Sequence, residues 1–104
     1  MVYELRTYTL YPGKMAEFLR LAETEGFPLL SRYLKPIGWW TTEIGPLNEV
    51  VILWAFDDLG QRDRAWAAAR ADDRLTNGYF PKVRALMVKQ ESKILTPTSF
   101  SPVQ

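Results

Sequence analysis

The sequence predicts an α+β protein with a ferredoxin-like fold, a four-stranded antiparallel sheet that carries its helices on one face. The predicted elements follow the order strand, helix, strand, strand, helix, strand, which is the split βαβ pattern. Right-handed crossovers place both helices on the same side of such a sheet. The central hairpin is nevertheless apolar on both faces, so its second face needs another cover. We therefore predict a homodimer whose two sheets pack face to face and form a barrel-like core.

Size and composition agree with a single domain over residues 1–104. The chain is 47% hydrophobic and 24% charged, which is ordinary for a globular protein. Its net charge of +1 gives no reason to expect binding to nucleic acid or to a membrane surface. No apolar run has the length of a membrane span, and the N-terminus lacks the pattern of a secretory signal. We therefore expect no membrane insertion and a cytoplasmic location.

The chain contains neither cysteine nor histidine. Disulfides, thiolate nucleophiles and thiolate metal sites are thereby excluded. Histidine is both the commonest general acid–base and the commonest metal ligand, so its absence removes both of these roles as well. Carboxylates do not recur at the spacing of metal ligands. We therefore expect no metal, no haem and no other cofactor.

The first third of the chain predicts a strand followed by an interrupted helix. Val2–Leu10 is rich in residues that favour strands, and Glu4 and Arg6 fall on the same face of it. Burial of that face would require the two charges to be paired. Apolar residues recur at helical spacing over 13–33, and Pro28 predicts a kink or a restart within that helix.

Two strands joined by a tight turn form the predicted central hairpin. Ile37–Ile44 and Glu49–Phe56 are rich in β-branched and aromatic residues. The turn between them ends at Asn48, a residue type that tolerates left-handed backbone geometry. Trp39 and Trp40 are adjacent, so in a strand they must point to opposite faces.

The remainder of the chain predicts two helical pieces and a last strand. Asp57 or Asp58 can cap a helix over Leu59–Ala71. A shorter helical piece continues to about Ala85, and Leu86–Leu95 is predicted as the fourth strand. The last nine residues, which include two prolines, are predicted to form an extended tail. No repeat of fixed period appears in the sequence.

Three segments together resemble the NIPSNAP family. They are the opening YELRTYTLYPGKMAEFL, the central WWTTEIGPLNEVVILWAFDD and the closing PKVRALMVKQESKIL. The resemblance extends from Tyr3 to about Pro102 and implies a dimeric α/β-barrel fold without implying a settled activity. Relatives often carry a histidine in the strand after the turn, where this chain has Ile52. A mechanism that depends on that histidine is therefore not expected here.

Aromatic and charged side chains on the predicted strands suggest a cavity for a small organic molecule. Such sites combine apolar walls with a few polar groups that orient the ligand. We expect the cavity between the sheet and the helices or at the mouth of the barrel. The candidate binding residues are Arg6, Tyr8, Trp40, Glu43 and Trp54. Because the strand register is unknown, the five residues need not share a face, and no catalytic role is assigned to them.

Two alternatives remain open at this level. The tryptophans are explained more simply by packing in the core and the dimer, and Arg6 by an ion pair with Glu4 or with a carboxylate on a neighbouring strand. The protein would then be a non-enzymatic interaction or structural module with a solid core. Analogy with other dimeric α/β-barrel proteins suggests instead an enzyme resembling a cofactor-independent monooxygenase. Internal volume distinguishes a solid core from a ligand cavity.

Overall fold

A four-stranded antiparallel sheet organises the chain, which a computed structural model describes over residues 1–104. The strands are β1 (Val2–Leu10), β2 (Lys35–Thr41), β3 (Glu49–Phe56) and β4 (Met87–Leu95). Their order in space is β2-β3-β1-β4, and every neighbouring pair is antiparallel. This order confirms the predicted ferredoxin-like topology.

Four α-helices complete the two crossover connections of the sheet. They are α1 (Met15–Leu21), α2 (Phe27–Leu30), α3 (Leu59–Ala71) and α4 (Phe80–Arg84). Helix α3 begins at the predicted cap, since the Asp58 carboxylate accepts a hydrogen bond of 2.7 Å from the backbone N–H of Gln61. None of the helices combines the length and the apolar character needed to cross a membrane.

Each crossover also contains a five-residue π-helical segment, Ala22–Gly26 in the first and Leu75–Tyr79 in the second. A Phe-Pro pair follows at, or directly after, the end of each segment and opens the next α-helix. Proline has no N–H to donate and crowds the preceding turn, so the regular α-helical pattern cannot run through it. The wider π turn lies where the pattern must adjust. The predicted interruption of the first helix is confirmed. Both crossovers contain a π-helical segment followed by Phe-Pro, although the sequence has no repeat of fixed period.

The β2–β3 hairpin differs from its prediction in the bounds of its first strand. Strand β2 covers Lys35–Thr41 and not Ile37–Ile44. Pairing ends where the N–H of Thr42 donates to the carbonyl of Glu49 at 3.1 Å, and a longer loop than predicted follows. Asn48 has a φ of 61°, so its expected left-handed geometry is confirmed.

Strand register divides the sheet into two faces with different surroundings. The helix-covered face, made by the even-numbered residues of β1 and β3, contributes Leu10, Ile52, Trp54 and Phe56 to the buried core. The open face carries the odd-numbered residues, of which Leu5 and Leu53 are a directly opposed pair. Both faces therefore present apolar side chains, and the helices of this chain cover one of them.

The C-terminal tail contains a turn and is not simply extended as predicted. The N–H of Ser101 donates to the carbonyl of Thr98 at 3.1 Å. The end of the tail returns to the sheet, where the Tyr3 hydroxyl donates to the carbonyl of Gln104. Tyr3 is buried, although it belongs to the open face.

Candidate functional site

A cavity of about 290 Å³ lies between the helix-covered face and the second crossover. The sheet contributes Arg6 and Tyr8 from β1, Trp39 from β2 and Ile52 from β3. Residues of α3, α4 and the π-helical segment between them form much of the opposite wall. Nine of the fourteen lining residues are hydrophobic, which is the composition expected of a small-molecule site.

Aromatic rings form much of the cavity wall and are held by a second ring behind them. Trp39 and Trp66 line the cavity. Trp54 lies between them in edge-to-face contact, with ring centroids 5.8 Å from Trp39 and 6.4 Å from Trp66. Only 1% of Trp54 is exposed, so this ring supports the wall without lining it. Edge-to-face contacts of this kind set the orientation of the rings.

Arg6 and Tyr8 form a fixed polar pair on the sheet side of the cavity. The Arg6 guanidinium donates to the Tyr8 hydroxyl and to the Glu4 carboxylate, both at 2.9 Å. It also lies 5.0 Å from the ring centroid of Trp66. Burial raises the pKa of Tyr8 and outweighs the opposing effect of Arg6. Tyr8 is therefore a neutral phenol that accepts from Arg6 and has its own proton available to a ligand.

Glu4 lies behind this pair, fully buried, and accepts five hydrogen bonds. The donors besides Arg6 are Arg62 at 2.9 and 3.1 Å, the Trp66 indole at 2.8 Å and Ser92 at 2.7 Å. Burial by itself raises the pKa of Glu4, but the hydrogen bonds from Arg62, Ser92 and Trp66 and the charge of Arg6 outweigh it and lower the pKa to about 2. Glu4 is thus an ionised anchor that positions Arg6 and Trp66.

Two more arginines, Arg70 and Arg84, line the exposed part of the cavity. Each follows an aromatic residue by one helical turn and lies against its ring. The guanidinium carbon of Arg70 is 5.6 Å from the ring centroid of Trp66, and that of Arg84 is 5.9 Å from Phe80. Neither arginine forms a salt bridge, and no carboxylate lines the cavity. The cavity mouth is therefore electropositive.

The five residues predicted from the sequence do not all meet in this cavity. Arg6 and Tyr8 line it, and Trp54 supports its wall. Trp40 lies on the open face because it pairs with Val51 in the register of β2 and β3. Its neighbour Trp39 takes the position in the cavity. Glu43 is exposed in the hairpin loop, beyond the end of β2.

Sequence reasoning missed several residues of the cavity, namely Trp39, Trp66, Arg70, Tyr79 and Arg84. Three of these residues, Trp66, Arg70 and Arg84, do have a local signal in the sequence. Residues four apart share one face of a helix, and both aromatic–arginine pairs, Trp66 with Arg70 and Phe80 with Arg84, have this spacing. The choice of Trp39 over Trp40 had no such local signal, because it depends on strand register.

A second, more open depression lies on the other side of Trp39, between the first crossover and β2. Leu19, Phe27 and Ile37 line it, and each is about two-fifths exposed. The arginine-bearing cavity is more enclosed than this depression and is therefore the better candidate for a binding site.

No group of three or more acidic residues lies close enough to hold a metal ion.

The NIPSNAP family model matches residues 3–102. This chain belongs to the NIPSNAP family. NipSnap homolog 3A of Homo sapiens is 33% identical over 93 residues, which cover 88% of this chain and 37% of the human protein. NipSnap homolog 1 of Danio rerio is 33% identical over 106 residues, which cover 99% of this chain and 36% of that relative. The NIPSNAP chain described here thus spans little more than a third of these curated relatives.

Solved structures resemble this NIPSNAP chain over nearly its whole length. A NIPSNAP family protein of unknown function from Agrobacterium tumefaciens is 39% identical, with a TM-score of 0.94 and coverage of 100% of this chain and 94% of that one. A cofactor-independent oxygenase from Streptomyces nogalater is 20% identical, with a TM-score of 0.69 and coverage of 97% and 96%. At that identity the oxygenase supports the fold alone.

Proposed function

We propose that this NIPSNAP protein binds a small organic molecule in the aromatic-lined cavity. The observation that carries the proposal is the cavity itself, about 290 Å³ of space with a mainly hydrophobic lining. Small-molecule sites begin at roughly this size, about 300 Å³. A purely structural module has no need of such a space, since close packing of the same face would stabilise it further.

The bound molecule would be held by stacking and by a small number of hydrogen bonds. Its apolar body packs against Trp39 and Trp66, whose orientation Trp54 restricts. Its polar group meets the free proton of Tyr8 and the guanidinium of Arg6. The cavity is preorganised for this mode, because the Arg6–Tyr8 pair is already in position.

The chemistry of the lining favours binding over a monooxygenase-like activity. A monooxygenase-like activity that starts by deprotonating its substrate needs a group of the protein that accepts the proton. The cavity lining includes no carboxylate that could accept this proton, and Glu4 lies behind Arg6 with both oxygens already hydrogen-bonded. Ile52, at the position where relatives often have a histidine, contributes only an apolar side chain to the lining.

A mouth-blocking variant tests the proposal with naphthol as an aromatic probe that carries one hydroxyl. Gln90 lies at the exposed rim of the cavity, so Gln90→Trp should obstruct entry. The matched control is Ile94→Trp, a comparable change on the same strand and, by register, the same face, outside the cavity lining. We expect naphthol to shift the indole N–H resonances of Trp39 and Trp66 in the unaltered protein and in the control, and to lose this effect in Gln90→Trp. Absence of any shift in the unaltered protein would overturn the proposal.

We also infer that the open face packs against a second copy of the chain. Trp40 is 52% exposed there, beside Val51 and Leu53, which remain partly accessible. At the β4 side of the same face, Lys89 and Glu91 form a salt bridge with each other, so both signs of charge lie beside the apolar residues. An apolar patch bordered by charged residues is typical of an association surface.

Sedimentation equilibrium tests this assembly. We expect a dimer for the unaltered chain and a monomer for Trp40→Glu, because the substitution would bury an unpaired charge at the interface. A chain that remains monomeric at high protein concentration would overturn the dimer and favour an interaction module whose open face contacts a different protein.

A further inference from the structure

We propose that the ligand of the cavity is an organic carboxylate with an apolar body, and that Arg70 and Arg84 bind its charged group at the cavity mouth. The inference rests on the proposed function and specifies the class of its ligand. It begins from the charges around the cavity. Three guanidinium groups line the cavity and no acidic side chain does.

The three arginines are not equivalent in their partners. Arg6 already has a carboxylate partner within the chain, because it donates to Glu4, which Arg62 also binds. Arg70 and Arg84 form no salt bridge, and their side chains donate no hydrogen bond within the chain. The overall net charge is only +1, so this excess of positive charge is local to the cavity mouth.

Both unpaired arginines are oriented by the aromatic rings beneath them. The ring of Trp66 lies against Arg70 and the ring of Phe80 against Arg84. A guanidinium that stacks on a ring still presents its N–H groups at its edge, where they can bind a carboxylate in bidentate geometry. This arrangement reduces the number of conformations that each side chain loses when an anion binds.

The interior of the cavity identifies the rest of the ligand. Its wall is apolar and aromatic, so an inorganic anion would leave this surface without a partner. A carboxylate attached to an aromatic or alicyclic body would occupy the interior and the mouth together. The Tyr8 hydroxyl and Arg6 provide additional donors for a second polar group of such a molecule.

Two matched probes separate the charge of the ligand from its shape. Naphthoate and naphthamide, substituted at the same ring position, have nearly equal size, and only naphthoate carries a charge. By isothermal titration calorimetry we expect naphthoate to bind roughly tenfold more tightly than naphthamide at low ionic strength. The difference should decrease as salt is added, because both arginines are exposed.

Charge-removing variants identify the arginines responsible. The double substitution Arg70→Gln and Arg84→Gln should weaken naphthoate binding by roughly tenfold and leave naphthamide binding unchanged. The control for net charge is the double substitution Arg20→Gln and Arg32→Gln, since both arginines are exposed, form no salt bridge and do not line the cavity. Because none of these side chains is buried, all variants should unfold at nearly the same urea concentration.

The possible outcomes lead to different conclusions. If neither probe binds, the proposed function fails and this inference fails with it. If both probes bind equally, the cavity is a ligand site and the preference for an anion is wrong. If the control double variant weakens naphthoate binding as much as the Arg70 and Arg84 double variant does, or if the latter weakens both probes equally, the assignment of Arg70 and Arg84 is wrong.

Discussion

The two faces of the sheet bury their side chains in different ways. On the helix-covered face, Glu4 is fully buried as an ion, and five hydrogen bonds from its own chain satisfy it. On the open face, the central pairs are Leu5 with Leu53 and Thr7 with Val51, and no charge lies among these four. A buried charge is therefore retained on the face where the chain supplies all of its partners, whereas the central pairs of the open face are uncharged and lie where we propose that a second copy supplies the cover.

The largest expected effect is the loss of stability when Trp54 is removed from the helix-covered face, compared with removal of Trp40 from the open face. Trp54→Ala should lower the free energy of unfolding by about 3–5 kcal/mol, because it leaves a large void in the buried core. Trp40→Ala should cost less than about 1 kcal/mol in the isolated subunit, because half of this side chain is already exposed. Urea unfolding at low protein concentration measures both. Equal losses would show that the two faces do not differ in packing within one chain.

The next effect concerns the buried charge and its dependence on pH. The pKa of Glu4 is lowered from 4.5 to about 2 in the folded protein. The contribution of ionised Glu4 to the free energy of unfolding is therefore complete above pH 4.5 and is lost as the pH falls towards 2. This pKa shift corresponds to a contribution of about 3 kcal/mol. We expect Glu4→Gln to lower the free energy of unfolding by an amount of this order at neutral pH. In acid, the variant should lose stability less steeply than the unaltered protein.

Urea unfolding at neutral pH and near pH 2.5 checks this expectation. The control is Glu17→Gln, which removes an exposed carboxylate on α1 and should leave the acid dependence of the unaltered protein in place. A Glu4→Gln variant with the same acid dependence as that control would contradict the assignment of the buried ion pair.

The smallest expected effect concerns the contact between the two crossovers above the helix-covered face. A Cβ atom on Gly26 would lie 2.3 Å from Cζ of Tyr79, which lines the cavity. Gly26→Ala should therefore displace Tyr79, destabilise the protein by about 1–3 kcal/mol and alter probe binding. Gly78→Ala, in the π-helical segment of the other crossover, meets no atom within 4 Å. Thermal unfolding should show little change for it, and equal effects of the two substitutions would refute the close contact.

Much of the secondary structure was predictable because its signals are local. The bounds of β1, β3 and α3 agree with the sequence prediction, since alternation, helical spacing and an acidic cap each act within a few residues. The first strand of the hairpin was predicted too far along the chain. Its end depends on where pairing between Thr42 and Glu49 stops, and β-branched composition alone does not determine this point.

The candidate site was only partly predictable, because its residues meet through contacts that are distant in sequence. Glu4 binds Arg62 and Ser92, which are 58 and 88 positions away along the chain. Arg6 and Tyr8 were identified from the strand pattern, whereas Arg70 and Arg84 lie on helices whose packing the pattern does not specify.

The sequence alone therefore determined the order of elements, the apolar character of both sheet faces and the alternation that separates Trp39 from Trp40. Only the tertiary structure decided which of these two tryptophans faces the cavity, since a shift of one residue in register exchanges the faces of a strand. The tertiary structure also decided that a cavity exists at all. Its volume is the space that the packed helices leave above the sheet, and this space depends on every contact between them.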